Sequence, residues 1–159
     1  SQLLDQAVHQ KDIGIEPQVD LDVRAIIPQH YIENTEVRYQ FYHKIASAEP
    51  CELEDIEHEL NNRFGTVPES TLNLMQLASI KHQAKSLRIN EIKQIDAHII
   101  VDIGSESNID TEQVINLVSN HQQYHFAGPH HIRVNCDDKP ILALNHLIHR
   151  LTHCYPQPA

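Results

Sequence analysis

The chain has no tryptophan and only three phenylalanines, so it lacks the row of rings on which single-stranded nucleic acid stacks. Its four glycines fall into neither G-x-x-x-x-G-K-[ST] nor G-x-G-x-x-G, which removes the two common backbone cradles for nucleotide phosphate. No serine stands in G-x-S-x-G, and no H-E-x-x-H or C-x-x-C occurs. Twelve Lys and Arg face twenty-two Asp and Glu, a net charge of -10 that argues against a phosphate backbone as the main partner. No run approaches the roughly 18 apolar residues of a membrane span. The three cysteines, Cys51, Cys136 and Cys154, are odd in number and far apart, and read as reduced thiols of a cytoplasmic protein. No signal peptide is expected, and Ser1 followed by the helix-like Leu3-Leu4-x-x-Ala7-Val8 reads as a piece of a longer chain.

What is present is organised around residues 27–69. Asn34 is a good helix cap, and Val37, Phe41 and Ile45 then recur along one helical face. Pro50 can open a second helix, where Leu53, Ile56, Leu60 and Phe64 share a face and Gly65 ends the run by accepting a left-handed conformation. Thr66-x-x-Glu69 has the form of a capping box, predicting a third helix over about 68–88 with Leu77, Ile80, Ala84 and Leu87 on one face and Met75 as core filler. Arg38 and Tyr42, one turn apart, are placed to stack or bond to a neighbour. Before these helices, Val19, Leu21 and Val23 alternate with polar residues and predict a strand.

After Ile89 the period changes. Ile92, Ile95 and then 99–103 predict a hairpin turning near Asp96, with no glycine there to fix the turn type. Asp110 opens a helix in which Val114, Ile115, Leu117 and Val118 supply the apolar face up to about Gln122. Residues 124–126 and 132–134 predict a second strand pair around Gly128-Pro129, and Pro140 opens a last helix with Ile141, Leu144, Ile148 and Leu151 inward. The expected fold is α+β: a helical hairpin plus a third long helix, packed with antiparallel β-hairpins and a C-terminal helix. Its expected limits are 19–155, with 1–18 a helical lead-in and 156–159 a frayed tail.

Two features offer chemistry. Along the second helix, Glu52, Asp55, Glu59 and Asn62 form a polar stripe, and the segment from Glu49 to Glu59 holds six carboxylates and no Lys or Arg. Such a row either lies in water or meets a basic partner, since each carboxylate can take an arginine fork. Arg63, beside Phe64, suits a helix C-terminus. The other feature is histidine, thirteen in all. His146, His149 and His153 fall at i, i+3 and i+7 beside Cys154, a set able to share a zinc or copper ion. A solvated polar face explains the same pattern, and neither a bound metal nor another cofactor is expected.

The order Ile27-Pro28, Tyr31-Ile32, Arg38, Tyr42, Lys44-Ile45-Ala46-Ser47-Ala48, Glu52-Leu53, Glu59-Leu60, Arg63-Phe64-Gly65 and Pro68 resembles the C-terminal domain of bacterial transcription-repair coupling factors. The resemblance runs from about Ile26 to Ile103 and is loose in the last third. In that family the motor motifs lie upstream and this domain is not catalytic. It folds back on a module of the same protein that resembles UvrB and covers the surface for UvrA. The resemblance therefore implies an intramolecular UvrB-like partner, indirect links to UvrA and RNA polymerase, and no direct contact with nucleic acid or membrane. The family's acidic contacts fall by position on Glu59 and Asn62, with Asn62 standing where Asp is usual, and Asp55, Glu52 and Arg63 complete the expected partner-binding set. The alternatives are a histidine metal site and an acidic docking module for an unrelated basic partner.

Overall fold

A computed structural model of the chain describes residues 16–153. The order of elements is β1 (Gln18–Asp20), α1 (Thr35–Ser47), α2 (Pro50–Phe64), α3 (Glu69–Ser86), β2 (Glu91–Ile95), β3 (His98–Asp102), α4 (Thr111–Asn120), β4 (Tyr124–Gly128), β5 (His131–Asn135) and α5 (Pro140–His153). The fold is α+β. The described chain divides into two compact units, residues 22–82 and residues 16–21 with 83–153. The expected lead-in helix near Leu3 and the tail after Tyr155 lie outside the described residues.

The first unit is helical. Asn34 caps α1 as expected, its side chain accepting from the Val37 N–H at 3.0 Å. Phe41 and Ile45 from α1, Leu53, Ile56 and Leu60 from α2, and Met75 from α3 bury together with Ile27 and Ile32. Gly65 closes α2 at φ +89° and ψ -167°. That is positive φ, as expected, but in a region reached almost only by glycine rather than in the left-handed helical basin. The start of α3 differs from expectation. The Leu72 N–H bonds to the Pro68 carbonyl, so Pro68, not Thr66, is the residue from which the helix departs.

The second unit is a five-stranded sheet in the order β1-β2-β3-β5-β4. Both predicted hairpins form, with β2 and β3 antiparallel through Ile92↔Val101 and β4 and β5 through Phe126↔Ile132. Asp96 turns the first hairpin at φ +55°, a conformation short Asx side chains tolerate, so no glycine is needed. Two outcomes depart from expectation. The first strand is only three residues long, and it pairs with β2 in parallel. A hairpin cannot make a parallel pair, which needs a long crossover, and residues 21–90 supply one. The strand is short because the chain soon turns elsewhere: the Ile26 N–H bonds to the Ser70 carbonyl.

Ile92, Ile99, Val101, Ile132 and Val134 are buried in the sheet, as are Val114 and Leu117 of α4 and Leu144, Leu147, Ile148 and Leu151 of α5. Asp110 caps α4 by accepting from the Glu112 N–H at 3.1 Å. Cys136 is buried just after β5, while Cys51 is exposed. Burial, and then the Asp137 charge, push the Cys136 thiol above its ordinary pKa. Since the thiolate is the nucleophile, a maleimide at neutral pH should label Cys51 readily and Cys136 only after denaturant is added, as read by peptide mapping.

Candidate partner-binding face

The acidic stripe lies on α2 where the sequence placed it, but its members differ in their duties. Glu52 is partly engaged at the helix start. Its carboxylate accepts from the Glu49 N–H at 3.0 Å, which satisfies a free donor there and sets negative charge at the positive end of the helix. The Glu49-x-x-Glu52 box escapes sequence reading because the usual leading residue is Ser or Thr.

Glu59 is fixed rather than free. Its Oε1 accepts from Lys44 Nζ at 2.7 Å, and its Oε2 from an Arg63 nitrogen at 2.9 Å. The side chains of Lys44, Arg63 and Glu59 remain 52, 50 and 34% exposed, so the cluster sits at the surface. Arg63 spans i,i+4 on α2, and Lys44 reaches across from α1. Both cations rest on rings: Arg63 lies 5.5 Å from the Phe41 ring centre and 5.0 Å from that of Phe64, and Lys44 lies 5.6 Å from Phe41. Cations over ring faces are held by the ring quadrupole, which orients both donors toward Glu59.

The rings are themselves anchored. Phe41 meets Phe64 edge-on at 5.9 Å, and Tyr31 lies 5.8 Å from Phe64. The Tyr31 hydroxyl lies 2.8 Å from the Gly65 carbonyl oxygen and 3.1 Å from that of Leu60, covering the end of α2. Desolvation raises the Tyr31 pKa, which keeps the hydroxyl a donor. Arg38 and Tyr42, predicted to meet a neighbour, meet the backbone leading into α1. Arg38 donates to the Ile32 carbonyl at 2.8 Å, and the Tyr42 hydroxyl accepts from the Ile27 N–H at 2.7 Å. Ile27 is buried, so Tyr42→Phe leaves that N–H without its acceptor. A stability loss of about 1–3 kcal/mol is expected, read as a lower urea midpoint.

Asp55 and Asn62 complete the stripe and are exposed. The face thus presents a fixed carboxylate, two neighbouring polar side chains in water, and two cations behind them. The Lys44 hydrogen bond, then that of Arg63, hold the Glu59 carboxyl below the ordinary glutamate range. A lowered folded pKa gives stability that is present above the unfolded value and is lost as pH falls through the folded one. For so exposed a cluster the loss is under about 1 kcal/mol, appears only below about pH 4.5, and should be absent from Glu59→Gln in acid-unfolding curves.

The histidines give a different picture. His146 and His149 are exposed on α5, and the side chain of His153 and all of Cys154 lie outside the described part. Among the described residues no three His, Cys, Asp or Glu side chains gather as a metal site would require. Among them, too, no helix is long and apolar enough to cross a membrane.

Residues 21–114 match the TRCF domain family. The chain is 29% identical over 140 residues to the transcription-repair-coupling factor of Haemophilus influenzae, matching 80% of this chain and 12% of that protein. It is 30% identical over 124 residues to that of Myxococcus xanthus, matching 74% of this chain and 10% of the other. The chain therefore spans about a tenth of the length of the curated relatives it matches. The fold is that of a solved C-terminal domain of transcription-repair coupling factor, with a TM-score of 0.78 and 16% identity over 91% of this chain and 97% of that one.

Proposed function

The chain belongs to the TRCF domain family, and from that premise we propose that it is a non-catalytic regulatory domain. In this reading it docks on the UvrB-like module of its own parent protein and masks the surface that UvrA would bind. The functional unit spans 19–155, with 1–18 leading in from the upstream motor, and it works in the cytoplasm. RNA polymerase acts on it only indirectly. The observation that carries the reading is Glu59, held at the surface by Lys44 and Arg63 with Asp55 and Asn62 open beside it. A carboxylate offers about four lone-pair sites, so two remain for an incoming guanidinium. The side chain is already ordered, which lowers the entropy lost on docking.

The physical content is a coupling free energy. Docking favours a closed parent protein, and UvrA favours the open one, so each weakens the other. The test is a calorimetric titration of this domain with the UvrB-like module, repeated as salt is raised. Binding that weakens with salt supports the reading. Absence of binding both in the separate titration and in a tethered fusion, where effective concentration reaches about millimolar, would leave the domain as an acidic module for some other basic partner.

A further inference from the structure

The stripe that includes Glu59 occupies only one flank of α2. At about 100° per residue, positions 52, 55, 59 and 62 lie to one side of the buried Leu53, Ile56 and Leu60, and positions 54, 57 and 61 lie to the other. That second flank borders a groove against α3. Two adjoining hollows of about 270 and 230 Å³ share Glu57 and Leu72. Leu53, Leu72 and Met75 line the larger, and Val67 extends the apolar floor into the smaller. Glu54 and Glu57 stand exposed on the rim. Among the described residues neither makes an ion pair with Lys or Arg, and the one ionic neighbour of Glu54 is His58 at 3.9 Å. The contrast with Glu59, which two cations neutralise, is plain.

We propose that this α2–α3 groove is a second docking site, and that its occupant is a basic amphipathic helix of a partner protein. An apolar floor beneath unneutralised carboxylates is complementary to leucine-class side chains flanked by Arg or Lys. The span from Pro50 to Asn61 is about 16 Å along the axis, the length of a three-turn helix. The site is independent of the docking role proposed for Glu59, because the two flanks lie on opposite sides of the buried Leu53, Ile56 and Leu60.

Met75 is the only methionine of the chain and, though buried, lines the larger hollow, so its methyl group gives a single resonance beneath the groove. The probe is an 18-residue peptide with leucines at i, i+3, i+4 and i+7 and arginines between them. Added to the 159-residue chain carrying 13C-methyl methionine, it should shift the Met75 resonance saturably. Glu54→Lys with Glu57→Lys should weaken binding roughly tenfold or more, as expected for lost charged hydrogen bonds, while Asp55→Lys on the other flank leaves the affinity unchanged. Glu54→Gln with Glu57→Gln serves as the milder pair should the double reversal disturb the fold. A peptide that binds without moving Met75, a loss caused by Asp55→Lys and not by the groove variants, or no shift at millimolar peptide would each overturn the proposal.

Discussion

Leu60→Ala should destabilise the helical unit by about 2–5 kcal/mol, seen as a lower urea midpoint with little change in slope. Leu60 is fully buried, and it shares its cluster with Ile45, Ile56 and Phe41. Alanine favours a helix at least as strongly as leucine, so the loss cannot come from the backbone of α2. It comes from apolar surface removed from the core and from the void left behind. The neighbours of that void matter for the site. Glu59 is the preceding residue, and the Tyr31 hydroxyl that covers the end of α2 lies 3.1 Å from the Leu60 carbonyl. Leu60→Ala thus bears on the packing beneath the face as well as on overall stability. A docking measurement on it should be made well below its unfolding midpoint.

Sequence periodicity made the helices legible because apolar residues recur at helical spacing in each, between punctuation with a physical cause. Asn34, Pro50, Asp110 and Pro140 open elements where their caps or missing N–H groups fit. Alternation made both hairpins legible. The parallel pairing of β1 was not, because pairing direction is a property of the crossover rather than of a three-residue strand. The same divide runs through the site. The stripe of Glu52, Asp55, Glu59 and Asn62 follows from spacing alone. Which carboxylates are engaged does not, since Lys44 stands fifteen residues from Glu59 and reaches it only once α1 and α2 pack. A signal was present in part: Lys44, Glu59, Arg63 and Phe64 all belong to the residues that carry the family resemblance. Read together, they amount to one construction in which rings hold cations and cations hold a carboxylate. For the histidines, spacing is all that the sequence carries. His146 and His149 have ligand-like spacing, yet a helix face converges on a metal only when another element supplies ligands opposite it, and the described part gathers no such set.

Glu59→Arg should weaken docking on the UvrB-like module by roughly 30-fold or more, the effect of about 2–5 kcal/mol when one member of a desolvated charge pair is lost. The change acts twice. It removes the acceptor that an incoming guanidinium would use, and it adds a third cation beside Lys44 and Arg63, whose nitrogens now stand 2.7 and 2.9 Å from the Glu59 oxygens. The free domain should notice little, because ion pairs this exposed contribute under about 1 kcal/mol each. Loss of binding with an unchanged urea midpoint would therefore report the interface and not the fold. Glu59→Gln should fall between, since it keeps a carbonyl acceptor but loses the charge, and its residual binding should depend less on salt. The coupling argument adds a second readout in the full-length parent: a variant that cannot hold the closed state should bind UvrA more tightly, by up to the factor lost in docking. Docking and UvrA affinity both unchanged in Glu59→Arg would mean that this face is not the contact. A docking loss without any gain in UvrA affinity would keep the contact and remove the masking role.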